Sequence, residues 1–217
     1  AVTIRDAKQL DSLQQLFRNH NIIILTDAIS VGHYFDLTHF EHRAVFDGVT
    51  RVWQVLSKIG PYAKNYIAEK MKGITPRTTG AGISDKVTIE GNVHISEGAT
   101  VDAYVIIRGG NIYIGPGVKV LGGSVVEGDV WIEEKVKIGP QAYIAGPTLL
   151  GPQCEIRPGT FIRGNVSFGH HTEFRSEAKN AIIMNDRTTP ENAHAGSAAA
   201  HYSYVGDSVI GNAVNFG

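Results

Sequence analysis

The chain has 217 residues, enough for one domain or two small ones, and its charges nearly cancel, with 20 Lys and Arg against 21 Asp and Glu. This balance provides no basic surface for nucleic acid, so we expect no nucleic-acid partner. The single cysteine, Cys154, excludes an internal disulfide framework, and no apolar run reaches membrane-spanning length. We therefore expect a cytoplasmic protein that does not bind a membrane.

Residues 1–76 have a different pattern of apolar residues from the rest of the chain and are predicted to form a small α/β segment. The spacing of apolar residues predicts helices over residues 6–20, 41–59 and 62–71, with a short buried strand at Asn21–Leu25. Gly60 and Pro61 are expected to end the second of these helices. The Met, Trp and Phe residues of this segment are interpreted as core, because apolar side chains at helical spacing are typical of packing.

A large apolar residue recurs every six residues along most of the remaining chain. The positions are Ile83, Ile89, Ile95, Val101 and Ile107, followed after one seven-residue step by Ile114, Val120, Val126, Ile132, Ile138, Ile144, Leu150, Ile156, Ile162, Phe168 and Phe174. The residue four positions after each of these is almost always small or β-branched. A period of six fits neither a helix nor a hairpin, but it fits a solenoid whose short strands each direct one bulky residue inward.

The one seven-residue step predicts a bulge at a corner of the solenoid. The extra residue falls within the sequence RGGN at 108–111, where Gly109 and Gly110 can adopt the backbone conformations that a bulge requires. A second irregularity follows Phe174, where the period is lost through residues 177–200. We expect an inserted loop at about 182–200, after which Tyr204, Ile210 and Phe216 resume the register.

This pattern resembles the hexapeptide-repeat proteins, in which three hexads form one triangular coil of a left-handed parallel β-helix. The resemblance implies a mainly β fold: a left-handed parallel β-helix over residues 77–217, with residues 1–76 as a small N-terminal α/β cap. The end coils of a solenoid expose a hydrophobic cross-section, so we expect the cap to cover the first coil. Solenoids of this type usually associate as trimers, and we expect a homotrimer.

Arginine breaks the rule for the residue that follows each bulky position, which is usually small or acidic. It occurs there as Arg157, Arg163 and Arg175. Arg157 and Arg175 are one coil apart, so they are predicted to stack at the strand spacing of about 4.8 Å. Two stacked guanidinium groups suit phosphate or a pyrophosphate-bearing cofactor. The alternative is that Glu155 and Glu173, which stack in the same way, pair with these arginines.

Nine histidines and one cysteine provide no recognisable metal site. His170 and His171 follow a glycine at a turn and are expected to face solvent, and no spacing assembles three histidines across neighbouring coils. We expect no metal. Cys154 occupies one of the small inward positions, so it is interpreted as a buried structural thiol.

The segment 201–211, HYSYVGDSVIG, resembles the acetyltransferase half of the bifunctional N-acetylglucosamine-1-phosphate uridyltransferase/glucosamine-1-phosphate acetyltransferase family. In that family an H-x-x-Y-x-G-D motif carries the catalytic histidine. The resemblance extends over about residues 150–217. It implies that His201 is the general base and that Arg157 binds phosphate, with Arg175 in place of a lysine. It further implies that Tyr204 contacts the sugar phosphate and that Asn215 lies near the reacting amine.

The resemblance implies an acyl-CoA-dependent acetyltransferase that acts on an amino-sugar 1-phosphate or a nucleotide sugar, with acetyl-CoA as cosubstrate. Its cofactor-binding residues are not assigned by the motif. Residues 1–76 lack the G-x-G-T-R nucleotide loop and are too short for a nucleotidyltransferase domain, so uridyl transfer is not expected. Two alternatives stay open: a non-catalytic sugar-phosphate-binding scaffold or regulatory β-helix protein, and an O-acyltransferase for another acceptor.

Overall fold

The structure, a computed structural model, describes residues 29–184, 198–199 and 201–216. The predicted helix over residues 6–20, the predicted strand Asn21–Leu25 and most of the predicted loop therefore lie outside the described residues. Among those residues the N-terminal elements are helix α1 (Val31–Tyr34), two 3₁₀ helices (Arg43–Phe46 and Val52–Ser57) and helix α2 (Ile59–Met71). No helix in the described parts of the chain is long and apolar enough to cross a membrane.

Seventeen strands within the described residues form the three faces of a parallel, left-handed β-helix, which confirms the predicted fold class. Face 1 consists of β2 (Thr100–Val101), β4 (Lys119–Val120), β7 (Lys137–Ile138), β10 (Glu155–Ile156), β13 (Glu173–Phe174), β15 (Ala198–Ala199) and β17 (Asn215–Phe216). Face 2 contains β5 (Val125–Glu127), β8 (Tyr143–Ala145) and β11 (Phe161–Ile162), and face 3 contains β6 (Val130–Ile132), β9 (Thr148–Leu150) and β12 (Val166–Phe168). Four longer strands pass from face 2 to face 3: β1 (Thr88–Ile95), β3 (Ile106–Ile114), β14 (Glu177–Ile183) and β16 (Tyr204–Ile210).

The predicted inward residues form the core of the β-helix. From Ile95 to Phe174 every bulky position of the hexad is buried, and so are the positions four residues later, except Asn111 at the bulge. The small positions that are polar bond to backbone carbonyls at the corners: the Thr160 hydroxyl donates to Phe174 O (3.1 Å), and the Cys154 thiol lies 2.9 Å from Gly169 O. Burial raises the pKa of the Cys154 thiol to about 12, which keeps it protonated and unreactive. The interpretation of Cys154 as a structural thiol is confirmed.

The corner bulge lies where the sequence predicts it. Gly109 and Gly110 have φ values of 68° and 74°, and the pairing of β1 with β3 shifts register opposite them, between Glu90 and Asn92. A side chain at Gly110 would meet the backbone of Gly128 at 2.5 Å, so only glycine fits there.

The register after Phe174 differs from the prediction at one position. Ala178 pairs with Ile162, so the corner that contains Arg175 is shorter than the corner one coil earlier. Val205 pairs in turn with Ala178 and is buried, whereas Tyr204 points outward and is 57% exposed. The prediction that Tyr204 resumes the inward register is wrong, because the inward residues Val205 and Ile210 are five residues apart instead of six. Ile210 does pack against the core, as predicted.

The described part of the N-terminal segment lies along face 3 and not over the first coil. Helix α2 packs through Ala63, Ile67 and Met71 on the outward residues Trp131 and Leu149 of face 3. The 3₁₀ helices before it pack on Ile182 and Val209, further along the same face. The outward positions of face 3 include Tyr113, Trp131, Leu149 and Ile182, whereas the equivalent positions of face 1 include Lys119, Lys137, Glu155 and Glu173, so face 3 gains more than face 1 from being covered.

The helices of this segment correspond in part to those predicted. Helix α2 is found where a helix over residues 62–71 is predicted. The single helix predicted over residues 41–59 is instead two short 3₁₀ helices. Gly60 and Pro61 begin α2 and do not end the helix before it, because proline fits the first turn, where its missing N–H needs no acceptor.

Candidate functional site

The candidate site is the corner between faces 1 and 2 in the last three coils that the structure describes. Arg157 follows β10, Arg175 follows β13, and His201 follows β15. Ser176 holds this corner together: its buried hydroxyl donates to His201 O (2.6 Å) and lies 2.9 Å from the Ser203 hydroxyl. The position of His201 is therefore fixed by a residue that the sequence motifs do not single out. Its only signal in the sequence is its place next to Arg175 at the corner.

Arg157 belongs to a ladder of alternating charges along face 1. Its Nη2 lies 2.7 Å from Glu173 Oε1, and its Nε lies 3.7 Å from Glu155 Oε1. Lys137 Nζ approaches the same oxygen of Glu155 at 3.1 Å. The alternative in which the glutamates pair with the arginines is thus confirmed for Arg157, since its charge is already matched within the chain.

Arg175 has a different environment, although it occupies the equivalent position one coil later. No carboxylate of the described residues lies within 4.0 Å of its guanidinium group. The residue that pairs with Glu173 in the next coil is Ala198, so the row of glutamates ends here. Tyr202 takes the place of an acid: the Arg175 guanidinium carbon lies 4.6 Å from the centre of the tyrosine ring, and Nη2 lies 3.5 Å from its hydroxyl.

The remaining predicted site residues surround this corner at different distances. The side chain of His201 is exposed, in a bend that precedes β16. Tyr204 begins β16 on face 2, where it pairs with Glu177. Asn215 is exposed on face 1 and lies two strands beyond Glu173, or about 10 Å. The fold brings Arg157, Arg175 and His201 to one corner and places Tyr204 and Asn215 on the two faces that meet there.

The third arginine of the sequence pattern, Arg163, belongs to a different corner. Its Nη1 lies 2.8 Å from Glu177 Oε1, and this hydrogen bond raises the pKa of Arg163 above its usual value. It is an exposed ion pair of the kind that contributes little to stability.

Across residues 29–184, 198–199 and 201–216, no group of three His, Cys, Asp or Glu side chains could hold a metal ion.

Comparison with known proteins agrees with this architecture. The family model described as "Bacterial transferase hexapeptide (six repeats)" matches residues 111–146 and 129–164. The bifunctional protein GlmU of Geotalea uraniireducens (strain Rf4) is 33% identical over 154 residues, which is 66% of this chain. The chain spans only 27% of the length of that relative. Among solved structures, the acetyltransferase domain of PglB from Neisseria gonorrhoeae FA1090, in complex with acetyl coenzyme A, aligns over 61% of this chain and 70% of that chain. Its TM-score is 0.42, at 20% identity.

Three observations agree on the same repeat. The hexad holds its register from Ile114 to Phe174, its bulky positions fill the core of a three-faced parallel β-helix, and the matches to the family model overlap that stretch. Residues 111–164 therefore match the bacterial transferase hexapeptide family in both sequence and fold.

Proposed function

We propose that this chain is an acyl-CoA-dependent acetyltransferase that acts on an amino-sugar 1-phosphate or a nucleotide sugar, with acetyl-CoA as cosubstrate. The observation that carries the proposal is the meeting of His201 with Arg157 and Arg175 at one corner of the β-helix. An exposed base beside two guanidinium groups suits a substrate that carries both an amine and a phosphate. The resemblance of residues 201–211 to the acetyltransferase motif supports the same chemistry.

In the proposed reaction His201 acts as the general base. The amine nitrogen of the sugar forms a bond to the thioester carbonyl carbon, the carbon–sulfur bond breaks, and coenzyme A leaves as its thiolate. The amine must lose a proton for this to happen, and the imidazole of His201 accepts it. The arginines contribute orientation, since a phosphate held beside the base fixes where the amine meets the thioester.

Tyr204 and Asn215 are proposed as additional substrate contacts. Both side chains are exposed, and they lie on the two faces that border the corner of His201. A sugar phosphate held at the corner could be contacted from face 2 by the phenol of Tyr204 and from face 1 by the amide of Asn215. Both groups can hydrogen-bond to sugar hydroxyls or phosphate oxygens.

We also propose a homotrimer in which face 2 contacts a neighbouring subunit. Outward residues of this face form an apolar column of Val125, Tyr143 and Phe161. The rings of Tyr143 and Phe161 stack, with their centres 4.7 Å apart. Phe161 is 43% exposed, whereas the corresponding column of face 3 is covered by α2 and that of face 1 is charged. Tyr204 is on the same face, so a second copy docked there would approach the candidate site.

The test of the proposed function is acetyl transfer from acetyl-CoA to glucosamine 1-phosphate. The products would be measured as released thiol and as N-acetylated sugar phosphate by mass spectrometry, with calorimetric titrations of each substrate alongside. Binding of glucosamine 1-phosphate without acetyl transfer would favour the non-catalytic scaffold. Transfer to a hydroxyl acceptor, but not to the amine, would favour the O-acyltransferase.

A further inference from the structure

Tyr202 is the residue at this corner to which neither the motif nor the proposed mechanism assigns a task. Its side chain is 70% exposed. The ring is nevertheless held in one place, because it stacks on Arg175 at 4.6 Å and its hydroxyl lies over Gly159, where an added Cβ would be 3.4 Å away. Tyr202 therefore reaches from the coil of Arg175 back to the coil of Arg157.

The stack has a specific effect on the guanidinium group of Arg175. A guanidinium ion that lies over an aromatic ring has one flat side covered, while its N–H groups point outward in the plane of the ion. Those N–H groups are the ones that form two parallel hydrogen bonds to a phosphate. The contact with Tyr202 thus restricts the orientation of Arg175 without using up more than one of its donors, at the long distance of 3.5 Å.

Arg157 shows what the same position looks like when an acid holds it. There Glu173 occupies the Nη2 donor at 2.7 Å, and the carboxylate would repel an incoming phosphate. In the next coil Ala198 stands where the glutamate would be, and the ring of Tyr202 contacts the arginine in its place. An aromatic ring fixes the arginine without adding a negative charge.

We propose that Tyr202 is a positioning residue that holds Arg175 ready to bind the phosphate of the substrate. The inference rests on the proposed function for the identity of the substrate, but the phosphate contact is a separate property of this corner. Arg175 is the main phosphate ligand, and Arg157 mainly balances Glu155 and Glu173. Tyr202 acts through Arg175 and does not itself touch the phosphate.

The experiment is a double-mutant cycle on phosphate binding with the whole chain. Inorganic phosphate and glucosamine 1-phosphate are each titrated into the millimolar range and followed by ³¹P NMR, with no acetyl-CoA present. The variants are Tyr202→Leu, Tyr202→Phe, Arg175→Ala and the double variant Tyr202→Leu/Arg175→Ala. Arg163→Ala is the matched control, because it removes one arginine from a neighbouring corner where Glu177 already binds it.

Loss of an exposed cation–π contact predicts a weakening of about two- to five-fold for Tyr202→Leu. We expect Tyr202→Phe to bind within about twofold of the wild type, since it keeps the ring, and Arg175→Ala to lose at least about tenfold, as for a charged hydrogen bond. In the Arg175→Ala background, Tyr202→Leu should have no further effect. Melting temperatures should be unchanged for both Tyr202 variants, because the side chain is mostly exposed.

Two results would overturn the inference. One is wild-type affinity in Tyr202→Leu, and the other is an undiminished loss from Tyr202→Leu when Arg175 is already absent, which would mean that Tyr202 contacts the ligand directly. Failure of the proposed function looks different. If the wild-type chain binds phosphate through Arg175 but transfers no acetyl group, the proposed enzymatic function is excluded and the role of Tyr202 is retained. If the chain transfers acetyl groups but shows no measurable phosphate binding, the role of Tyr202 is excluded and the enzymatic function is retained.

Discussion

At the scale of single residues, the arginine pair and the histidine differ in how far the surrounding chain explains them. Arg157 is accounted for by its ion pairs with Glu173 and Glu155, and it would be found in a purely structural β-helix. No ion pair with the described residues accounts for His201 in this way: its side chain is exposed, and the bond that anchors this residue to Ser176 uses the backbone carbonyl. A substitution of the His201 side chain should therefore leave the fold intact.

The first prediction concerns the catalytic role of the His201 side chain. His201→Ala should lower the acetylation rate by about 10²–10⁴-fold, the usual contribution of a positioned general base. Binding of glucosamine 1-phosphate and the melting temperature should be nearly unchanged, because the phosphate contacts are proposed for other residues. Steady-state rates and a calorimetric titration of the same preparation would check both. His33→Ala, which removes a histidine distant in sequence, is the control, and full turnover in His201→Ala would exclude His201 as the base.

At the scale of elements, the coil interior is the tightest part of the molecule. Thr160 is buried, and its hydroxyl oxygen lies 2.8 Å from Arg157 O and 3.1 Å from Phe174 O, within hydrogen-bond distance of both. We predict that Thr160→Tyr lowers the free energy of unfolding by about 1–3 kcal/mol, because overpacking forces the neighbouring strands apart. Lys119→Tyr, an exposed position on face 1, should cost much less. Denaturant unfolding would measure both, and equal stabilities would contradict the inward assignment of Thr160.

The contact between the N-terminal segment and face 3 contains a buried histidine with a pH-dependent contribution to stability. His42 is 1% exposed, and its Nδ1 lies 3.3 Å from the Tyr62 hydroxyl. Burial, and then the charge of Lys70, lowers the pKa of His42 from 6.5 to about 4. Between these values the unfolded chain binds a proton that the folded chain does not, so stability is present above pH 6.5 and is lost as the pH falls towards 4.

The prediction is a difference between two pH profiles. His42 should contribute a loss on the order of 3 kcal/mol as the pH falls from about 6.5 to about 4. Glu41 acts in the opposite direction: although the residue as a whole is exposed, partial desolvation of its carboxyl group, and then the charge of Glu133, raises its pKa to about 7, so its contribution to stability is lost as the pH rises from 4.5 to 7. Denaturant unfolding of the wild type and of His42→Gln at several pH values isolates the histidine. Parallel profiles for the two proteins would show that His42 does not titrate as described.

At the scale of the whole molecule, the three faces of the β-helix have different partners. Face 3 is covered by α2, face 1 carries charges that pair with one another, and face 2 keeps an apolar column with Phe161 exposed. Burial of such a column stabilises association by roughly 25 cal/mol for each Å² of apolar surface removed from water. We therefore expect face 2 to hold the subunits of the proposed trimer.

Light scattering should give the mass of three chains at micromolar concentration. Phe161→Glu places a charge at the centre of the proposed contact and should shift the protein towards a monomer, while Lys119→Glu on face 1 should leave the trimer intact. A monomer mass for the wild type, with acetyl transfer intact, would contradict both the trimer and the idea that a neighbouring subunit completes the site.

The sequence by itself determines the β-helix, because a buried core leaves a direct record in the chain. Every coil must place a bulky side chain inward at the same point, so the hexad from Ile114 to Phe174 identifies the fold, and the extra glycine at 109–110 identifies the bulge. The predicted division at residue 76, and the roles of His201, Tyr204 and Asn215, remain predictions. The division comes from the change in sequence pattern and the three roles from a resemblance, and both are left for experiment.

The tertiary structure decided what a six-residue period does not contain. A repeat specifies which side chains point inward, but not what covers the outward ones, so the position of α2 along face 3 depends on the aromatic column that three hexads build together. The corner at Arg175 is shorter than the corner one coil earlier, and the step from Val205 to Ile210 is one residue shorter than a hexad, which leaves Tyr204 outward and Val205 inward. Tyr202 contacts Arg175 at this corner although the two residues are 27 positions apart in the sequence. No local sequence pattern predicts this contact, and it is what makes Arg175 different from Arg157.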